Sequence, residues 1–132
     1  MSLMPSSLAR QFDCSSDFSD VAAARRFVRQ ALTGIDPEVS ADLQLVTSEL
    51  MTNAIEHAAS PHVTVELEIH DGEVVLTVTS HGSAPLAPVE SWVPAPPDAR
   101  AGRGLAIVRE LATEVEVEHA AGALRVRVHR AR

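Results

Sequence analysis

The sequence predicts an α+β domain: a two-layer α/β sandwich with three helices on one face of a mixed, mostly antiparallel sheet. Three observations lead there. Apolar residues recur at i, i+3, i+4, i+7 in three stretches, the mark of helices with one buried stripe. Period-two alternation marks paired strands in two other stretches. The order (β)αα–ββ–loop–αββ is neither an alternating βαβ series nor a helical bundle. With 132 residues, 45% hydrophobic and 22% charged, the chain has the size and composition of one globular domain.

Residues 1–9 are polar and carry Pro5, which predicts a flexible N-terminal tail ahead of a single domain over 10–132. Ala9 to Cys14 can form an edge strand. Asp17 or Ser19 can cap a first helix with Val21, Ala24, Phe27, Val28, Ala31 and Leu32 on its apolar stripe, ended by Gly34. Asp36-Pro37 opens a second helix, with proline in the first turn and Glu38 complementing the dipole, running to about Ala58 before Ser60-Pro61. His62 to His70 alternates Val63, Val65, Leu67 and Ile69 with polar residues; Asp71-Gly72 turns the chain, and Glu73 to Ser80 is the partner strand.

Pro85, Pro88, Pro94, Pro96 and Pro97 then interrupt a stretch with little periodicity, too long for an ordinary connection, which predicts a lid over about 81–103. Trp92 stands within it, placed either to anchor a partner or nucleotide base or to pack the lid against the body. Gly102-Arg103-Gly104 opens a third helix whose apolar stripe includes Leu105, Val108 and Leu111, ending near Thr113. Val115 to His119 and Leu124 to His129 close the domain as two strands joined through Ala120-Ala121-Gly122.

Composition excludes several functions. A formal charge of −7 argues against direct DNA binding. No apolar run reaches the roughly twenty residues of a membrane span, and the N-terminus lacks a signal-peptide pattern. Cys14, the one cysteine, excludes an internal disulfide and a cysteine zinc site, so a cytoplasmic protein is the expectation. The six histidines form no H-x-x-x-H or H-E-x-x-H pair, which sets zinc hydrolysis aside. Ser80, Ser83 and Ser91 lack a nucleophile-elbow context. The C-terminal Arg125, Arg127, Arg130 and Arg132 read as a solvated strand face, an acidic partner being the other reading.

Two patterns carry chemistry. On the second helix Glu49, Asn53 and His57 recur every four residues and share a stripe beside the apolar Leu43, Val46, Leu50 and Ala54. An amide oxygen suits a hard cation such as Mg²⁺, and a carboxylate one turn away can orient or deprotonate a nucleophile. The same pattern also fits the solvated edge of an ordinary amphipathic helix. Gly102-Arg103-Gly104-Leu105 offers backbone that can approach a ligand closely, unpaired helix N–H groups and a cation, all suited to phosphate; glycines also simply end loops.

Taken together, SELMTNAIEHA, the hairpin strand followed by Ser80-His81-Gly82, the proline-rich lid and GRGLAIVRELA resemble the N, G1 and G2 boxes of the GHKL (Bergerat-fold, histidine-kinase-like) ATPase superfamily, in that order. FDCSSDFSDVAAARRFVRQAL resembles the first strand and helix of its anti-sigma-factor serine/threonine kinase family. The likeness spans about residues 10 to 129. It implies the histidine-kinase-like ATPase fold, ATP and Mg²⁺ as cofactors, Asn53 as the Mg²⁺ holder and Glu49 as the catalytic residue polarising the attacking hydroxyl. It further implies a nucleotide cradle from Ser80, Gly82, Gly102, Arg103, Gly104 and Leu105; His57, near a helix end, reads as structural. The implied function is an anti-sigma regulatory kinase that phosphorylates an anti-anti-sigma (STAS-domain) partner and sequesters a sigma factor. A homodimer is compatible with the sequence.

Two positions depart from the family pattern. Asp usually stands two residues before the G1 glycine, accepting the adenine amino proton, where this chain has Ser80. Thr usually follows the glycine of the last hairpin, where this chain has Ala123. Loss of an acceptor for a buried amino group costs about 1–3 kcal/mol. The alternatives are therefore a non-catalytic interaction module with a degenerate adenine pocket, or a pocket for another purine ligand.

Overall fold

The computed structural model describes residues 8–15, 17–57, 62–81, 88–93 and 103–132. Its sheet is built on one hairpin, β2 (His62–Ile69) and β3 (Glu73–His81), to which β1 (Leu8–Ser15) adds beside β2. A second hairpin, β4 (Glu114–Ala120) and β5 (Ala123–Ala131), joins through β5 beside β3. The order is β1-β2-β3-β5-β4, and all four pairings are antiparallel. β1 begins at Leu8, opposite Ile69, one residue before the strand predicted from sequence.

Alternation decides which face receives the helices. Val63, Val65 and Leu67 pair with Ser80, Val78 and Leu76, which pair in turn with Leu124, Val126 and Val128; all nine are buried on one face. Over that face lie α1 (Ser19–Ala31), α2 (Pro37–His57) and α3 (Arg103–Leu111), contributing Ala24, Val28, Val39, Leu43, Val46, Leu50, Met51 and Val108 to the same core. Burying each of the larger aliphatic side chains stabilises the fold by about 1.5–3 kcal/mol before chain entropy is counted.

Local chemistry sets the boundaries. Asp17 Oδ1 accepts the Ser19 amide at the start of α1, and this bond holds the Asp17 carboxyl below its ordinary pKa. Asp36 Oδ1 accepts the Glu38 amide at 2.9 Å at the start of α2. Gly34, at φ +90°, supplies the left-handed step between these helices. The β4–β5 turn needs positive φ at both centres and has Ala121 at 51° and Gly122 at 77°.

Longer-range contacts fix the layers together. Phe12 of β1 stacks on Phe27 of α1 with centroids 5.4 Å apart. Arg130 of β5 donates from Nε and Nη2 to Asp42 Oδ2 of α2, at 3.1 and 2.9 Å. Within the stretch expected to be a lid, Val89–Ser91 forms a 3₁₀ turn and Trp92 is 4% exposed inside the core cluster. Of the two readings of Trp92, packing against the body is the one observed. Arg109 of α3 pins this segment by donating to the Glu90 carbonyl at 3.0 Å.

Candidate functional site

α2 is where the sequence places its polar stripe, and its packing explains how that stripe becomes a site. Val46, Leu50, Met51 and Ala54 are buried, so the helix is clamped on its sheet side. Glu49 and Asn53 lie at the edge of this clamped side, both half-buried and one turn apart. Thr47 is fully buried and donates to the Leu43 carbonyl at 2.7 Å, which satisfies its hydroxyl within the helix.

α3 packs beside α2 and presents its first turn to this edge. Gly104, its second residue, is half-buried. A Cβ placed there would run into the Glu49 carboxylate and would lie 3.2 Å from Glu49 Cδ and 3.5 Å from Glu49 Cβ. The carboxylate therefore occupies the space left by the missing side chain, against a helix start that carries unpaired N–H groups and a partial positive charge. Leu105 follows, half-buried and packed on the core, and so orients that first turn.

Ser80 lies near the end of β3, 2% exposed, on the helix-facing side of the sheet. Its β5 neighbour is Leu124, which shares that face; Ala123 pairs with His81 and falls on the opposite face. Counting from Gly122 thus assigns the second adenine-side position to Ala123, whereas strand alternation puts Leu124 toward the helices. Leu124 also has no hydrogen-bonding side chain.

The structure thus brings Glu49 to Gly104, with Asn53 one turn away. Gly82, Gly102 and the side chains of Arg103 and His57 lie outside the described residues. Two contacts escaped sequence reasoning. One is the Arg109 clamp, whose only sequence signal is a basic residue in the last turn of α3. The other is a cluster of Glu114, Glu116 and His129 on the far face of the sheet.

A family model described as a histidine kinase-like ATPase domain matches residues 14–129. The crystal structure of the RsbU and RsbW domains of Rv1364c from Mycobacterium tuberculosis is similar, with a TM-score of 0.70 and 21% identity. That match covers 95% of this chain but 33% of the other, so this chain spans about a third of the length of the protein it resembles. A sequence comparison with curated proteins found no match. Among the described residues no helix is long and apolar enough to cross a membrane.

Proposed function

Because this chain belongs to the histidine kinase-like ATPase family, we propose that it is an anti-sigma regulatory factor. In this reading its ATP site phosphorylates a serine or threonine of a STAS-domain partner, and the protein alternately sequesters a sigma factor. One observation carries the nucleotide part: the Glu49 carboxylate lies against Gly104 at the start of α3, with Asn53 one turn along α2. The choice of regulator branch is supported by the sequence resemblance along β1 and α1 and by likeness to a structure containing an RsbW domain.

The donor set fits ATP and Mg²⁺. The Asn53 amide oxygen is a hard, neutral donor of the kind Mg²⁺ takes. The absent side chain at Gly104 lets Glu49 stand against the first turn of α3, whose unpaired N–H groups and partial positive charge suit phosphate oxygens. Bound ATP supplies the transferable phosphoryl group, and Mg²⁺ neutralises its charge. The protein's own part is positioning: Glu49 orients the incoming hydroxyl and accepts its proton, while the start of α3 favours negative charge.

A second reading, a non-catalytic interaction module, is favoured by Ser80 and Leu124 at the helix-facing floor, neither of which offers a carboxylate. Isothermal titration with ATP and Mg²⁺ separates the two. The kinase reading expects binding that Asn53→Ala abolishes and that survives Glu49→Ala, with phosphoryl transfer lost in both. It expects Ser80→Asp to tighten binding about tenfold or more. No heat at millimolar nucleotide from either the parent protein or Ser80→Asp leaves the interaction module as the function.

A further inference from the structure

The face of the sheet turned away from the helices carries a cluster that the nucleotide site does not use. Glu114 and Glu116 are two residues apart on β4 and so share this face. The register places Glu114 directly opposite His129 of β5. One carboxylate oxygen from each glutamate and one ring nitrogen of His129 lie within 4.8 Å of one another. His129 is already held in place: its side chain is 18% exposed, Nδ1 is 3.2 Å from Glu73 Oε1 of β3, and Nε2 is 2.5 Å from Glu116 Oε1.

We propose that Glu114, Glu116 and His129 form a binding site for one divalent cation of the Zn²⁺ class, with Glu73 orienting the imidazole, and that the ion fastens edge strand β4 to β5. The chemistry of the donors selects the ion. Two carboxylates cancel a dipositive charge, and an imidazole nitrogen favours Zn²⁺, Co²⁺ or Ni²⁺ over Mg²⁺. Three protein donors leave a fourth tetrahedral position for water. Donors about 2.1 Å from a tetrahedral ion stand about 3.4 Å apart, so Glu116 Oε1 and His129 Nε2, now hydrogen-bonded, need to open by about an ångström, and no pair of donors needs to close by much more than that. Glu73 supplies the outer carboxylate that metal-bound histidines commonly have, fixing Nδ1 as the protonated nitrogen and leaving Nε2 to ligate.

The surrounding charges do not occupy the site. Arg127, the cross-strand neighbour of Glu116, reaches 3.8 Å to Glu68 of β2, and Arg125 is bonded to Glu118 at 3.2 Å.

The test is calorimetric titration of ZnCl₂ into chelator-stripped, nucleotide-free protein at pH 7.5, with histidine side-chain ¹⁵N spectra as a second readout. The expected result is one Zn²⁺ per chain with Kd on the order of 10 μM, about thirtyfold weaker for His129→Ala and for the Glu114→Gln/Glu116→Gln pair. The His119→Ala protein should bind as the parent does, Mg²⁺ should not compete, and the His129 Nε2 resonance should shift. If circular dichroism shows that His129→Ala does not fold, the glutamine pair carries the comparison. Absence of binding up to about 1 mM Zn²⁺ overturns the proposal, as does equal affinity after removal of His129 or the two carboxylates, or a shift confined to other histidines.

Discussion

Replacing Gly104 by alanine, in the presence and absence of the Glu49 side chain, measures directly whether the α2–α3 seam is arranged as described. The new Cβ overlaps only the carboxylate end of Glu49 and keeps an ordinary 3.5 Å from its Cβ, so the backbones need not separate. The carboxylate must rotate away, at about 0.5–1.5 kcal/mol if it leaves its rotamer well. It also gives up about 0.3–1 kcal/mol of attraction to the helix start. Against this, alanine gains up to about 1 kcal/mol over glycine in a helix. Gly104→Ala alone is therefore nearly neutral to destabilising by about 1.5 kcal/mol. In a Glu49→Ala background, where nothing fills the space, the same change stabilises by about 0.5–1 kcal/mol.

Urea unfolding followed by far-ultraviolet circular dichroism, with all four proteins sharing one m-value, gives the coupling. The expected interaction energy is about 1–2.5 kcal/mol. Additivity within about 0.3 kcal/mol would mean that the two residues do not touch, and the cradle assigned to the α3 amides would lose its basis. A phosphoryl-transfer assay on the same proteins links packing to function: a carboxylate displaced by Cβ no longer stands where Glu49 orients the hydroxyl, so Gly104→Ala should lose turnover at least tenfold.

Other changes test the frame around the site. Ala121→Gly should raise stability by about 0.5–1 kcal/mol in thermal unfolding, because it relieves a left-handed alanine in the β4–β5 turn. Arg130→Ala should cost about 1.5–3 kcal/mol in urea unfolding by leaving Asp42 half-buried without its two donors, and the loss should shrink when Asp42 is also replaced by alanine. Cys14 has its pKa pushed up from 9.0 to about 11, chiefly by burial, with Asp20 and Asp13 adding to it. Its reaction with a disulfide reagent at pH 8 should therefore run about a hundredfold slower than in the unfolded chain. Since the unfolded thiol ionises first, this group's stabilisation holds below pH 9 and is lost as the pH rises toward 11.

Much of this was legible in the sequence because it is written in local spacing. The three α-helices and strands β2 to β5 announce themselves through a period of 3.6 or 2 or through the caps and turns that bound them, and the Glu49–Asn53 stripe follows from the same helical geometry; β1 and the 3₁₀ turn at Val89–Ser91 carry no such period. What spacing cannot supply is which helix stands beside another: the meeting of Glu49 with Gly104 depends on α2 and α3 packing on the same sheet face. Trp92 carried two opposite readings because a lone aromatic among prolines has no period to place it. Which face of β5 a residue takes is likewise set by pairing: Leu124 lies opposite Ser80 on the helix side, and Ala123, next to it in sequence, lies opposite His81 on the other. The ligand cluster of His129 was missed for a related reason. Its partners are set by cross-strand pairing, and a search for histidines one helical turn apart cannot find them.

Strand β3 shows why the two faces of this sheet carry different chemistry. An antiparallel strand with one open side should alternate buried and exposed residues, yet Val75, Thr77 and Thr79 are only 4–8% exposed on the side without helices. Their neighbours on that face are Glu68, Glu66 and Thr64 of β2 and His129, Arg127 and Arg125 of β5, whose longer side chains lie to either side of them. The roof over β3 is thus ionic, and a cation held by His129 would strengthen it where β4 meets β5. The nucleotide site depends on the opposite face, where Ser80 and Leu124 point to the helices about one layer, roughly 10 Å, away. Groups so separated share no partner, so loss of His129 should leave ATP affinity unchanged and loss of Asn53 should leave Zn²⁺ affinity unchanged. Coupling between the two ligands would require the sheet itself to shift, which β3, buried on both sides, resists.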